Sequence, residues 1–395
     1  MPSTSFHPFP IDKGILPFYN VIDYVIDYII ERTAMDTPNP KKIWTSSLTR
    51  KTHIALLLLA LAGQLAWAVE NQFYNTFLYD RITPNPQAVS LMVAVTALVS
   101  TVTAITMGTF SDRTRSRWGK RRPYIFAGYI LWGILTASFP AAAMFQPVAL
   151  GVFMAILFDS LMSFFGATAS DAALHAYVAD VTNVQNRGRV IGSMQIMTWV
   201  AFLIVYGGAG FIIQAFDYPA FFYAVGALVL LIGIIAAPQL KELPAVEKPK
   251  VSYWTQIADT FRLKTLTAQR DLFLLLISLT LFMVAFNVFF PYLMIYMQHF
   301  LHLSILESSI VVAATILVGG IIMAYPIGIM VDRFGRRPVA MTAVLCECGG
   351  LLLFSVSRSL PVLIVTCILW LAPYTAWVIS MQTWTKDLFP EDKRG

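Results

Sequence analysis

The stretch Gly108-Thr-Phe-Ser-Asp112-Arg113-Thr-Arg115-Ser-Arg117-Trp118-Gly119-Lys120-Arg121-Arg122-Pro123 lies between two long apolar runs. Six basic residues and one carboxylate in that position read as a short loop joining two membrane-spanning helices, held in the cytoplasm by its positive charge. The pattern recurs 220 residues later as Gly328-Ile-Met-Val-Asp332-Arg333-Phe-Gly335-Arg336-Arg337-Pro338, again between apolar runs. A repeated loop predicts a repeated half.

The composition agrees with a bilayer protein. Apolar residues make up 57% and charged residues 13%, with a mean hydropathy of +0.67, whereas soluble domains carry about 25% charge. The pI of about 9.1 reflects basic clusters between apolar spans rather than a nucleic-acid surface, and no nucleic-acid partner is expected. Cys346, Cys348 and Cys367 match no zinc or C-x-x-C spacing, so they read as packing residues and no metal or other cofactor is expected. No short leader pattern precedes the first span, so insertion through the first helix itself is expected.

Apolar runs near 53–79, 88–110, 123–145, 148–178, 190–214, 219–238, 271–298, 306–330, 339–357 and 361–385 are each near the ~20 residues that span a bilayer. They predict an all-α polytopic membrane protein with ten helices. The chain divides into four parts: a segment 1–51, six helices over 52–238, a hydrophilic loop 239–270, and four helices over 271–395. With the N-terminus in the cytoplasm, 26 of the 28 Lys and Arg residues fall on that side. Only Arg81 and Arg358 lie opposite, and none lies within a span, which is a positive-inside pattern. Within 1–51, Phe18, Ile22, Val25, Ile26 and Ile29 share one helical face, with Asp23, Asp27 and Glu31 opposite. That is a short amphipathic helix, suited to the protein's own basic face or to solvent.

The doubled G-x-x-x-D-R, each copy followed by G-K-R-R-P or G-R-R-P, resembles the signature loop of the major facilitator superfamily from about residue 52 onward. The longer first copy is similar, more specifically, to the glycoside-pentoside-hexuronide cation symporters and related sucrose transporters. The resemblance implies the major facilitator fold, two pseudo-symmetric six-helix halves that rock around a midplane site. It also implies that a loop basic residue, Arg121 or Arg122, pairs with Asp180, that Asp332 caps helix 5 near Arg187, and that Asp112 caps helix 11. Gly108, Arg113, Gly328, Arg333, Arg336, Arg337, Asp387 and Arg394 complete this cytoplasmic gate. Asp180 to Arg187-Gly188 is echoed by Asp387 to Arg394-Gly395 at the same separation of seven. Matched against the first half, the echo predicts that helices 11 and 12 are missing from this sequence.

Carboxylates within spans are costly and mark function. Glu70, Asp159, Asp171 and Glu347 are the candidates, and low dielectric without a countercharge favours the neutral acid, a group able to carry a proton. At 1.5 Å per residue Glu70 and Asp159 both lie roughly 15 Å from the outer surface, at one level. Asp171, with His175 one turn on, is a candidate inner relay or gate pair. Glu347 falls on helix 9, which the resemblance places at the periphery.

Gln64, Trp67, Asn71, Tyr74 and Asn75 recur every three to four residues along helix 1, a polar and aromatic face suited to a sugar. Gln195 and Trp199, Asn287, Tyr292 and Tyr296, and Tyr374 and Trp377 are further binding candidates. For the aromatics, packing and the interfacial belt are competing roles. Helix 2 offers only hydroxyls, among them Ser90, Thr96 and Ser100. The resemblance to sodium-coupled symporters would require carboxylates there, so protons are the expected coupling ion.

The expectation is therefore a monomeric, proton-coupled symporter of a small polar solute, a sugar or glycoside, in the plasma membrane. A proton-driven exporter of amphipathic compounds and a non-transporting membrane sensor or scaffold are the rivals. No nucleophile-base set, metal cluster or nucleotide loop suggests an enzyme.

Overall fold

The computed structural model describes residues 49–182, 186–241 and 270–388, which belong to one compact unit, Leu48–Gly395. The amphipathic stretch before residue 49, the loop 242–269, the Asp387 side chain and Arg394 lie outside the described residues. Among the described residues there is no strand, and nine helices are long and apolar enough to cross a membrane.

The first half opens with α1 (Arg50–Ile82), α2 (Pro86–Arg113), α3 (Arg122–Met144) and α4 (Val148–Val181). Local chemistry sets their starts. Thr49 accepts the Thr52 amide at 3.3 Å, and Asn85 accepts the Gln87 amide at 2.9 Å ahead of Pro86 at the first helical position. Each cap satisfies an amide that the first turn leaves unpaired.

The next helical stretch covers Arg187 to Gln239, 53 residues, which as one straight helix would be roughly 80 Å long, far beyond a ~30 Å hydrocarbon core. It is two helices, broken at Asp217, where φ is 68° and ψ is 171°, two residues before Pro219. The break divides it into α5 (187–216) and α6 (218–239), so the nine helices make ten spans, as expected from the apolar runs.

The second half contains α7 (270–300), α8 (Ile305–Phe334), α9 (Arg336–Val356) and α10 (Leu360–Leu388). A capping box starts α8: Ser304 accepts the Glu307 amide at 3.1 Å while Glu307 accepts the Ser304 amide at 2.8 Å. Gly335, at φ 87°, turns the chain between α8 and α9, a conformation in which a Cβ is strained.

Small residues let the spans approach closely, as membrane helix pairs require. A Cβ on Gly133 of α3 would stand 2.7 Å from the Gly226 carbonyl oxygen of α6, and the reverse substitution is equally tight at 2.6 Å. Toward the end of α1 remote from the basic loops, Tyr74 stacks on Phe139 at 3.6 Å, and Phe77, Phe222 and Tyr218 surround that pair. This aromatic cluster fastens α1, α3 and α6 together. Large apolar side chains such as Leu98 and Val102 on α2 and Leu281 on α7 stay exposed, the surface a hydrocarbon solvent accepts.

Candidate functional site

Three cavities follow one another along the interior. The first, about 160 Å³, is lined by Glu70, Asn71 and Asn75 of α1, Thr96 and Ser100 of α2, Asp159 of α4 and Asn287 of α7. Glu70 and Asp159 are thus in one pocket, on the helices that depth alone placed at one level. Ser163 donates to Glu70 Oε1 at 2.7 Å. Glu70 Oε2, Asn75 Oδ1 and Asp159 Oδ1 are buried without a hydrogen-bond partner, so the pocket holds unsatisfied polar atoms of the kind that a proton, water or a ligand hydroxyl would meet.

The second cavity, about 250 Å³, lies between the halves and shares Asn71 and Asn287 with the first. Trp199, Phe202 and Tyr206 of α5 face Phe286 and Phe290 of α7 and Trp370 and Tyr374 of α10 across it. Phe286 stacks on Tyr374 at 4.5 Å and on Phe290 at 4.8 Å, with the ring planes inclined by 27° and 25°. Thr315 of α8 and Cys367 of α10 also reach the lining.

The third cavity, about 420 Å³, opens toward the basic loops and is bordered by Gln64, His175, Arg187 and Gln195. His175 Nδ1 donates to the Ser170 carbonyl at 2.8 Å. That bond leaves Nε2 as the ring atom able to exchange a proton. Asp171, on the same widened stretch of α4 (Ala167–Leu174), is exposed, and Trp67 borders the carboxylate pocket.

Three residues grouped with the binding face by their spacing sit elsewhere. Tyr74 is fully buried in the aromatic cluster. Trp377 is buried against Phe282, with ring centroids 3.6 Å apart. Tyr292 is at the far end of α2, donating to the Pro86 carbonyl at 2.8 Å and meeting Ser90 Oγ at 2.5 Å. Trp67, Glu70, Asn71 and Asn75 still share one face of α1, and Tyr74 turns off its edge onto Phe139. Glu347 of α9 is buried and lines none of the three cavities.

At the basic face, Arg121 is almost fully buried and gathers the ends of several helices. It donates to Asp112, Ser111 and the Gly108 carbonyl at the end of α2, and to Asp180 of α4 at 3.4 Å. Lys120 joins Asp180 at 2.8 Å, and Arg122 donates to the Pro238 carbonyl at 2.5 Å. Asp112, whose expected partner is helix 11, one of the two helices expected to be missing from this sequence, is here the partner of Arg121. Arg113 is half-buried beside them. In the second copy, Asp332 and Arg337 are exposed, Arg336 is half-buried, and the Arg333 guanidinium lies 5.5 Å from the Phe334 ring centroid. Arg187, expected near Asp332, turns back onto the end of α4, donating to Thr182 Oγ1 and the Ala179 carbonyl, both at 3.3 Å. A Cβ on Gly188 or Gly192 of α5, or on Gly328 of α8, would meet nothing within 4 Å among the described residues.

The far face is different, and sequence reasoning missed it. Asp80 at the end of α1 accepts His299 Nε2 of α7 at 2.6 Å and the Tyr218 hydroxyl of α6 at 2.6 Å. Tyr79 packs edge-on to His299, and Gln72 donates to the Phe290 carbonyl at 2.6 Å. Helices α5 and α8 touch as well: a Cβ on Gly210 would stand 2.8 Å from Ser309 Cβ. These residues sit at helix ends distant in sequence and follow no periodic pattern that would have marked them.

The sequence profile of the Major Facilitator Superfamily matches residues 45–395. A search of curated proteins finds no matching sequence. Solved structures share the architecture. A mutant of the nucleoside transporter NupG aligns with a TM-score of 0.63 at 13% identity, over 87% of this chain and 85% of its own. The D-xylose-proton symporter aligns with 0.61 at 16% identity, over 86% and 84%. The inward-open xylose transporter XylE from E. coli gives 0.62 at 15%, over 87% and 84%. At these identities the likeness is one of fold. The profile covers nearly the whole chain and the helices enclose a central cavity between two halves, so this protein belongs to the Major Facilitator Superfamily and is a membrane transporter.

Proposed function

We propose that this protein is a proton-coupled symporter that carries a small polar solute, a sugar or glycoside, by alternating access, with its basic face and N-terminus in the cytoplasm of a plasma-membrane-bounded cell. One observation carries the reading. Asn71 and Asn287 border both the carboxylate pocket and the central cavity, so a solute held by these amides also borders Glu70 and Asp159. Protonation and solute binding then influence each other through a shared wall, which is what coupling requires. Glu70 and Asp159 would take the proton, and Asp171 and His175, nearer the basic face, would pass it on. Gln64, Gln195 and Trp67 would line the route. The positive-inside charge pattern supports the orientation, and the D-xylose-proton symporter among the structural neighbours supports the chemistry.

In this cycle the contacts that cross the far face would belong to a state closed on that side. The Asp80, His299 and Tyr218 contacts then have to break, and the two basic loops have to engage the opposite halves, for the site to face the other way. The test reconstitutes the full-length protein in liposomes and records external pH as sugars are added one at a time without a membrane potential. Alkalinisation with one sugar, abolished in Glu70→Gln or Asp159→Asn, is the expected result. The seven aromatic residues of the central cavity favour a second reading, a proton-driven exporter of amphipathic compounds. A pH change provoked by a lipophilic cation and by no sugar would replace the first reading with that one.

A further inference from the structure

We infer that Trp199 and Gly320 form a key and a notch that set the spacing of the two halves, so that one side chain fixes both how far the far face closes and how wide the central cavity is. This concerns the movement of the carrier and does not rest on the identity of the solute.

Helices α5 and α8 run antiparallel and belong to different halves. Their close approaches keep one register. A Cβ on Gly210 would stand 2.8 Å from Ser309 Cβ, one on Gly207 3.6 Å from Ala313 Cβ, and one on Gly320 2.6 Å from the Trp199 ring. Trp199 lies eleven residues before Gly210, and Gly320 eleven residues after Ser309, roughly 16 Å along the seam at 1.5 Å per residue. At the next positions in that register, Gly192 and Gly328, a Cβ would meet nothing within 4 Å among the described residues. Trp199 therefore stands where the glycine-lined packing of the seam ends.

The notch is a feature of α8 itself. Over Ile316–Ile322 the helix takes wider turns, a departure from the regular ladder that frequently marks a functional position. The neighbouring helix of the same half holds it in place: the Thr375 hydroxyl of α10 donates to the Gly319 carbonyl at 3.2 Å. A Cβ on Gly319 would stand 3.2 Å from Leu371 Cβ of α10, while bare Gly320 beside it receives the ring from the other half, with three ring carbons within 3.2 Å of where its Cβ would be. Even Ala at 320 requires the ring or the helix to move. The same ring lines the central cavity, with Phe202 edge-on to it at 6.0 Å. A rigid indole shared between notch and cavity ties the position of one to the shape of the other.

The test uses the full-length protein in sealed vesicles with its far face outward, Cys346 and Cys348 replaced by Ser, and an impermeant thiol reagent added outside. Cys367, buried and among the residues lining the central cavity, is reached from outside when the far face opens. Gly320→Ala drives the ring from its notch, and labelling should speed up at least about fivefold as separation of the halves relieves the overpacking. Trp199→Phe, which leaves the notch unfilled, should also label faster. Combined, the smaller ring and the added methyl fit each other, and the rate should return to within about twofold of the parent. Two changes that merely weakened the fold would add instead of cancelling. Gly192→Ala, at the open position, should leave the rate unchanged. An unchanged rate in Gly320→Ala would mean that the ring tips into the cavity without moving the halves, and a double variant as fast as the faster single would mean that the two positions act separately. Either result, or a rise in Gly192→Ala equal to that in Gly320→Ala, overturns the proposal. Should Gly320→Ala fail to fold, an unchanged rate in Trp199→Phe overturns it alone.

Discussion

The two ends of the molecule use the same kinds of contact for opposite purposes. On the basic face, charge pairs lie within one half: Arg121 and Lys120 hold Asp112 and Asp180, all on the first four helices and the loop between them. On the far face the His299 contact with Asp80 joins α7 to α1, and Tyr292 joins α7 to α2. Position decides the role. Contacts within a half make it a rigid body, and contacts between halves select which side of that body is shut. The first group should therefore resist disruption, and the second should yield readily, because a transporter whose far face were held by several kcal/mol could not turn over.

Arg121→Ala is the sharpest way to break that contrast. The guanidinium is only 4% exposed, whereas Asp112 is 38% exposed and Asp180 keeps Lys120 at 2.8 Å, so the variant strands no buried carboxylate. What it loses is the packed guanidinium and its hydrogen bonds to Ser111 and the Gly108 carbonyl, about 1–3 kcal/mol. Purified in detergent, the variant should unfold at clearly lower temperature, while opening of the far face is unaffected in the fraction still folded. Unchanged unfolding would mean that the basic cluster is surface charge and nothing more.

Asp80→Ala should do the reverse. Asp80 is 17% exposed and His299 47%, so solvent screens the pair and its worth is about 1 kcal/mol or less. That suffices to change the ratio of far-closed to far-open molecules by about fivefold. Cys367 reports it, because this buried residue is among those lining the central cavity. With Cys346 and Cys348 replaced by Ser, an impermeant thiol reagent added on the far side should label Cys367 about fivefold faster in Asp80→Ala, with unfolding temperature little changed. His299→Ala should behave in the same way. Equal labelling rates would show that packing of α5 on α8 at Gly210, rather than the Asp80 contacts, holds the far face.

How much of this was legible in the sequence depends on which physical signal a residue leaves. Spans and loops leave a strong one, since hydrocarbon excludes charge and the basic clusters mark the turns. Even the break at Asp217 falls between the runs 190–214 and 219–238. The level of Glu70 and Asp159 came from helical rise alone, and one pocket contains both. Rotation about a helix axis is harder to read. Helix α1 is packed on most sides, so polarity does not single out a cavity face. Tyr74, one residue before Asn75, lies at the edge of that face and stacks on Phe139 instead. Trp370, Phe286 and Phe202 were unreadable for another: in an apolar span an aromatic that lines a cavity looks like one that packs. The far-face contacts pair helix ends distant in sequence, and no periodicity encodes that.

The smallest effects separate two roles of one loop. Arg81 and Asp217 form an ion pair at 2.5 Å, but their side chains are 47% and 48% exposed. Discounted for screening, such a pair contributes at most about 0.5 kcal/mol and fades with added salt. Arg81→Gln should barely move stability in low salt and not at all in high salt. Asp217 does more than its partner. Its Oδ1 also accepts the Tyr218 amide at 2.8 Å, starting α6 at the one place where φ is 68° inside the long helix. Asp217→Ala loses that acceptor, about 1 kcal/mol; at φ 68° and ψ 171° the backbone lies outside the left-handed helical well, so Ala bears the same strain as Asp. Asp217→Asn keeps the acceptor, so it should match Arg81→Gln instead. Thermal unfolding of the three variants at two salt concentrations decides the matter. If Asp217→Ala were as mild as Arg81→Gln, the break between α5 and α6 would be set by Pro219 and by packing rather than by the aspartate.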